Sequence, residues 1–286
     1  MFGTFGHATH RTAAAAGFGL LALAALAVPA QAAPITLSDG NSSATINFDG
    51  ATGTTGMTSW LVDGVDHLFR QWFWFRVGTD PAQAIDTLAV TGPAITDTGI
   101  DDPAADTAVA KYTAAGQFEI EVKYSLQGGA AGSGEADVGE QIKITNLTGG
   151  TLDITLFQYS DFDLNGTPAD DSVQLTNANT VTQFDAVSSL SETVVTPAPD
   201  FVELAFFDAT ESNLDSGSFT GNLNNATTPL GPGDVTWAFQ WDFAIGANSS
   251  RQISKDKQIR AIPEPISTAI LGLGLLGLGL ARRRAR

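Results

Sequence analysis

Hydrophobic and polar positions alternate with a period of two along much of this chain. Phe118, Ile120, Val122, Tyr124 and Leu126 interleave with Glu119, Glu121, Lys123 and Ser125. Trp237, Phe239, Trp241, Phe243 and Ile245 do the same with Ala238, Gln240, Asp242 and Ala244. Such alternation turns one face of an extended strand toward a core and the other toward water. Ile142 and Ile144, the break Thr148-Gly149-Gly150-Thr151, then Leu152, Ile154 and Leu156 read as a hairpin. Val62-Asp63-Gly64-Val65 reads as a second, because Asp-Gly tolerates the positive φ of a type I′ turn. Glycine-rich residues 128–134 and Pro/Asp residues 196–200 read as loops between strands. Residues 33–261 hold no convincing amphipathic helix of three turns; the alanine-rich stretch 104–115 is interrupted by Thr107, Val109 and Thr113. The pattern predicts an all-β fold, an antiparallel β-sandwich (jelly-roll-like or similar), as one domain over 33–261 without internal repeats.

Residues 68–77, Leu-Phe-Arg-Gln-Trp-Phe-Trp-Phe-Arg-Val, are the densest aromatic run. Both faces are apolar at the centre, which predicts a central strand covered on both sides, with Arg70 and Arg76 snorkelling at its ends. Trp72 and Trp74 share one face, so the alternative is an aromatic platform that stacks sugar rings. Trp237 and Trp241 carry the same two readings.

Both termini are hydrophobic and stand apart from the alternating region. Arg11 begins the first, an Ala/Leu run follows over residues 13–28, and Ala30-Gln31-Ala32 is an A-x-A cleavage site. This predicts a signal peptide over 1–32, cut after Ala32. The sequence has no twin-arginine pair near this end and no cysteine, so neither twin-arginine export nor lipidation is supported. At the other end, Pro263-Glu264-Pro265 precedes a Leu/Gly run and the basic residues Arg282, Arg283, Arg284 and Arg286. The prolines delay helix until Ile266. The run 266–281 predicts a single hydrophobic helix of about 24 Å, short against a hydrocarbon core of about 30 Å. Four glycines weaken it further, and the arginines hold its end in the cytoplasm.

The three-part tail over 262–286 resembles the PEP-CTERM sorting signal of exported bacterial surface proteins, the substrates of exosortase enzymes. The resemblance implies that the tail is a temporary stop, held in the membrane by its helix until an exosortase-type enzyme cuts near Pro263, Glu264 and Pro265. An ordinary membrane anchor is the alternative. The implied destination is the cell surface or extracellular matrix after passage through the inner membrane.

Composition narrows the working region. Without the two ends, nine basic residues face 30 acidic ones, a net charge of −21. That field disfavours nucleic acid and anionic lipid as partners and attracts divalent cations. The absence of cysteine excludes disulfides, thiol catalysis and zinc-thiolate sites. About 230 residues bury enough apolar surface to fold without such staples.

The best local motif opens at Asp161-Phe162-Asp163-Leu164-Asn165-Gly166 and runs to Asp170 and Asp171. Oxygen side chains at positions 1, 3 and 5 with glycine at 6 match the start of a calcium loop. Position 12 is Ser172, where a bidentate Glu belongs, so Asp170 and Asp171 would have to fold back as ligands of a structural Ca²⁺. The alternative is a polar turn with Gly166 in the left-handed region. No other cofactor is expected.

Enzymatic constellations are sparse. His67 is the one histidine after the predicted cut and reads as a surface or rim residue. No G-x-S-x-G elbow, H-E-x-x-H, P-loop or dinucleotide fingerprint appears. No catalytic residue is assigned, though paired carboxylates of a glycosidase remain open. Asn41, Asn146, Asn165, Asn225 and Asn248 each begin an N-x-[S/T] sequon, weak evidence for glycosylation. The expected function is a non-enzymatic surface or matrix protein associated with exopolysaccharide or biofilm. The alternative is a carbohydrate-binding module or polysaccharide-active hydrolase carrying the same tail.

Overall fold

The alternating segments form two antiparallel sheets in a computed structural model that describes residues 33–50, 53–99 and 103–262. The predicted signal peptide with Ala30 and Ala32 lies outside the described residues. So does the tail with Pro263, Glu264 and Pro265, its predicted helix, and Arg282, Arg283, Arg284 and Arg286. Among the described residues no helix is long and apolar enough to cross a membrane.

In chain order the strands begin β1 (Ile35–Asp39), β2 (Ser42–Asn47), β3 (Gly56–Val62), β4 (Val65–Asp66), β5 (Leu68–Val77) and β6 (Gln83–Ala84). Then follow β7 (Ala89–Thr96), β8 (Thr107–Ala114), β9 (Phe118–Gly128), β10 (Ala136–Asn146) and β11 (Leu152–Phe162). Next come β12 (Asp171–Asn177), β13 (Thr180–Phe184), β14 (Ser188–Thr196) and β15 (Phe201–Phe206). A short helix α1 (Ala209–Asp215) precedes β16 (Leu230–Gly233), β17 (Val235–Ile245) and β18 (Ser250–Ala261).

The first sheet runs β1-β2-β3-β5-β11-β17-β15, with β4 beside β3 and β6 beside β5. The second runs β16-β12-β13-β14-β18-β10-β9-β8-β7. The β3–β4 hairpin forms as its Asp-Gly signal predicts, with Asp63 at φ 51° and Gly64 at φ 82°. The predicted hairpin across Thr148-Gly149-Gly150-Thr151 does not form. β10 pairs β9 and β18 in one sheet, whereas β11 pairs β5 and β17 in the other. Alternation says which residues face the core but not from which sheet they face it. Asn146 holds this crossing: its amide nitrogen donates to the carbonyls of Gly150, Ile245 and Gly246. That sequon nitrogen is therefore buried and engaged, while Asn225 and Asn248 are exposed.

β5 is the predicted central strand. Trp72, Phe73 and Trp74 are fully buried, and Phe75 nearly so. Its arginines do not snorkel. Arg76 is buried and donates to the carbonyls of Thr220 and Gly221, to Asn222 Oδ1 (3.1 Å) and to Thr155 Oγ1 (3.2 Å).

Between the sheets, the apolar core surrounds a cluster of four fully buried charges: Glu140 on β10, Glu192 on β14, and Lys255 and Lys257 on β18. Lys255 lies 2.5 Å from Glu140 and 2.8 Å from Glu192; Lys257 pairs with Glu140 and lies 3.4 Å from Glu192. The opposite sheet completes the network. Ser160 Oγ and Trp237 Nε1 donate to Glu192 Oε2 (3.0 and 2.8 Å), Lys255 donates to Gln158, and its ammonium sits 5.3 Å from the Phe73 ring centroid. Burial by itself would raise the Glu192 carboxyl, but Lys255 and Lys257 reverse this and hold it down at about 2.

Removing one member strands a buried charge, so Lys257→Met is expected to lower urea-measured stability by about 3–5 kcal/mol at pH 7. Adding Glu140→Gln restores charge balance and recovers part of that loss. Because Glu192 is depressed from 4.5 in the folded state, its contribution is complete above about 4.5 and drains as pH falls toward about 2. Acid titration of stability should show that loss in the wild type and a shallower one in Glu192→Gln.

Candidate functional site

The outer face of the first sheet carries aromatic and charged side chains that cross-strand register aligns in rows. Arg70 on β5 stands opposite Asp161 on β11, which stands opposite Thr236 on β17. Below follow the rows Trp72-Tyr159-Ala238, Trp74-Phe157-Gln240 and Arg76-Thr155-Asp242. In a two-sheet sandwich this face would meet water, yet Trp72, Trp74, Phe157 and Tyr159 are fully buried.

Two segments cover it. From the chain after β15, Asp215 of α1 accepts from Trp74 Nε1 (2.7 Å), and the Phe219 ring meets Phe157 edge-on at 5.9 Å. From the chain after β6, Asp86 accepts from Trp72 Nε1 (3.0 Å). The covers join where the Ala82 amide donates to the Phe219 carbonyl (2.8 Å). Both of these indoles thus have a carboxylate for the N–H, and neither Trp72 nor Trp74 offers a sugar-stacking surface. The platform alternative is corrected to core on both counts.

At the rim of this face three carboxylates converge. One oxygen from each of Asp161, Asp163 and Asp234 lies within 4.8 Å of the others. Asp161 ends the regular part of β11, where the pairing with β5 is interrupted by a bulge. Asp163 follows in the next turn, and Asp234 joins β16 to β17. Asp161 is fully buried; its Oδ2 accepts from Tyr159 (2.9 Å), while its Oδ1 has no partner, and neither has Asp234 Oδ1. Burial pushes the Asp161 carboxyl up to about 8 against the Tyr159 hydrogen bond, with Asp234, Asp163 and Glu211 adding to the rise. Burial, Asp234 and Asp66 bring Asp163 to about 6, and burial raises Asp234. The nearby guanidinium is committed elsewhere: Arg70 pairs with Glu211, donates to Thr55, and lies over the Trp74 ring.

The calcium loop predicted from Asp161, Asp163, Asn165, Asp170 and Asp171 does not assemble as a set. Asn165 sits at φ 57° and spends its amide on Asp185 (2.6 Å) and Ser188 (3.0 Å). Asp171 Oδ2 accepts from the Leu164 amide (3.0 Å) and Gln183 (2.6 Å), and Asp170 is exposed. Asn165 and Gly166 (φ 71°) both take left-handed backbone, as the polar-turn alternative expects of Gly166. Asp234 could not be found from spacing, since it arrives from 71 residues beyond Asp163. His67 is not a rim residue: it is buried, and its Nδ1 accepts from the Asn165 amide (3.1 Å), with burial holding the imidazole below its usual range.

Exposed aromatics adjoin the acids. Phe69, Phe206 and Phe207 are 50%, 50% and 46% exposed. Phe69 and Phe207 meet edge-on at 5.7 Å, and the Phe207 amide donates to the Asp234 carbonyl (2.9 Å).

Residues 261–284 match the PEP-CTERM protein-sorting motif, so the chain carries that signal immediately after β18. No curated protein sequence matches the chain. Among solved structures, a bacterial glucoamylase complexed with acarbose aligns at TM-score 0.54 and 9% identity, over 84% of this chain and 33% of that one. The chain therefore spans about a third of the glucoamylase's length. A candidate aldose 1-epimerase of Escherichia coli K12 aligns at TM-score 0.51 and 9% identity, over 80% and 99% of the two chains. A galactose mutarotase-like protein of Clostridium acetobutylicum aligns at 0.50 and 9%, over 80% and 95%. At these identities the likeness is one of fold.

Arg76 is the tie between sheet and cover. Arg76→Met, which keeps the stem and deletes the donors, is expected to cost about 2–3 kcal/mol. Hydrogen exchange should show faster labelling centred on residues 216–226 and little change in β10 or β18.

Proposed function

We propose that this chain is an exported bacterial surface or extracellular-matrix protein, freed from a transient membrane stop by an exosortase-type enzyme and displaying a non-catalytic β-sandwich. The sorting motif over residues 261–284 carries the reading. The order of the sequence supports the same conclusion: after β18 ends at Ala261 come Pro263-Glu264-Pro265, a short glycine-containing apolar run, and arginines of the kind that resist passage through a bilayer. The A-x-A signal at the other end suits export by a cleaved leader. A net charge of −21 over the intervening residues suits a protein kept soluble outside the membrane and repelled by anionic lipid.

A second reading, saccharide contact, is favoured by one observation. The exposed rings Phe69, Phe206 and Phe207 stand beside three carboxylates at the edge of the first sheet. Aromatic faces take the apolar faces of sugar rings while adjacent oxygens take hydroxyls, a combination suited to exopolysaccharide. The fold shared with sugar-associated proteins is compatible with this use of the edge.

Mass spectrometry of the protein recovered from its native host should find the terminal arginines gone. A Pro263→Ala, Glu264→Ala, Pro265→Ala variant should retain them and stay membrane-bound. Arginines still attached to the wild-type protein would sink the processing reading. On a glycan array, Phe69→Ala with Phe207→Ala should weaken binding about tenfold or more, a loss of at least about 1.4 kcal/mol. The melting temperature should barely move, since both rings are surface residues.

A further inference from the structure

Unlike Glu140, Glu192 and Glu211, the rim carboxylates have no positive partner among the described residues. Glu140 and Glu192 face two lysines, and Glu211 faces Arg70. Asp161 has no ion pair among the described residues, and a buried carboxylate oxygen left without a donor is costly. We propose that Asp161, Asp163 and Asp234 form a binding site for one divalent cation, Ca²⁺, at the exposed edge of the first sheet. The inference goes beyond the surface-protein reading and does not depend on the tail being cut.

The ligand chemistry selects the ion. The three donors are all carboxylate oxygens, which suit hard cations and not the soft or nitrogen-preferring metals. Their mutual spacing within 4.8 Å is compatible with oxygens on one shell. Ca²⁺ takes such carboxylates in flexible geometry, whereas Mg²⁺ demands near-ideal octahedral geometry and keeps several of its waters. The unpartnered Asp161 Oδ1 supplies the observation that clustering alone would not: it belongs to a fully buried side chain in the cluster and has no hydrogen bond. Asp234 Oδ1, an inaccessible atom of a half-buried side chain, likewise has no hydrogen bond. Rigid elements hold the set, since Asp161 lies in β11 between β5 and β17 and Asp234 directly precedes β17. Asp163 and Asp234 are only half-buried, leaving one side of the site open to water or to a ligand hydroxyl. Three carboxylates and one Ca²⁺ leave a net charge of −1, which relieves the repulsion among the acids.

The test is calorimetric titration of the exported protein with calcium chloride at pH 7.5, with melting temperatures recorded alongside. The wild type should bind one Ca²⁺ with Kd of about 10⁻⁴–10⁻³ M, the range of extracellular modules. It should gain about 4–8 °C at 10 mM calcium. Asp234→Asn and Asp161→Asn should each abolish the binding heat and the calcium-dependent gain. Without calcium Asp234→Asn should melt at or above the wild type, because it removes a like charge from the cluster. Asp170→Asn, in the same loop but outside the cluster, should bind as the wild type does. Asp234, being half-buried, keeps the test open should Asp161→Asn fail to fold. The proposal is overturned if the wild type shows neither heat nor stabilisation at 10 mM calcium, or if either cluster variant that folds retains the gain.

Discussion

Four buried charges set the geometry on which the rest of this molecule depends. Glu140, Glu192, Lys255 and Lys257 have no exposure to water, and each carboxylate lies against both ammonium groups. Isolated, any one of them would be prohibitively costly in an apolar interior. Together they are neutral, and they are bonded across the gap between the sheets. Ser160, Gln158 and Trp237 come from the first sheet, the four ions from the second. Sliding one sheet over the other by a residue would keep most apolar contacts but would strand these charges. The cluster therefore specifies stagger, which apolar burial does only loosely.

With the stagger set, the first sheet turns its other face outward, and that face is unusual for being aromatic as well. Trp72, Trp74, Tyr159 and Phe157 would form a large exposed apolar patch if left bare. The chain after β15 and the segment around Asp86 close over them and satisfy the indole N–H groups. The cover stops at the rim, where Arg70 leans toward α1 and leaves the three aspartates on their own. Glu140 and Glu192 are matched by lysines from their own sheet, whereas the rim aspartates have no cationic partner among the described residues. This contrast in charge pairing separates the structural carboxylates from the candidate functional ones.

Much of the strand pattern was legible, and the misses share a cause. β9 follows its alternation and the Asp63-Gly64 turn forms as its chemistry requires, whereas in β17 the expected water-facing Ala238 and Gln240 are buried as well. The doubly apolar run at β5 is covered on both faces. The β10–β11 hairpin failed because alternation is blind to which sheet a strand joins. β18 hides its lysines in plain view. Ile253, Lys255, Lys257 and Ile259 share one inward face, and the two lysines are matched there only because Glu140 and Glu192 are brought opposite. His67 was placed at the rim for want of any signal that the Asn165 amide would need an acceptor. Of the predicted metal loop, Asp161 and Asp163 remain together and Asp234 replaces the others.

The sequence by itself determined the β class, the inward face of the strands with clean alternation, and the sorting tail. These are local properties, written in side-chain period and in the order of a few adjacent residues. Tertiary structure alone decided sheet membership, the cover over the tryptophans, the pairing of the buried charges and the grouping of the rim aspartates. Each of those depends on which distant residues meet, and a charge or an aromatic ring acquires its meaning from its neighbours in space.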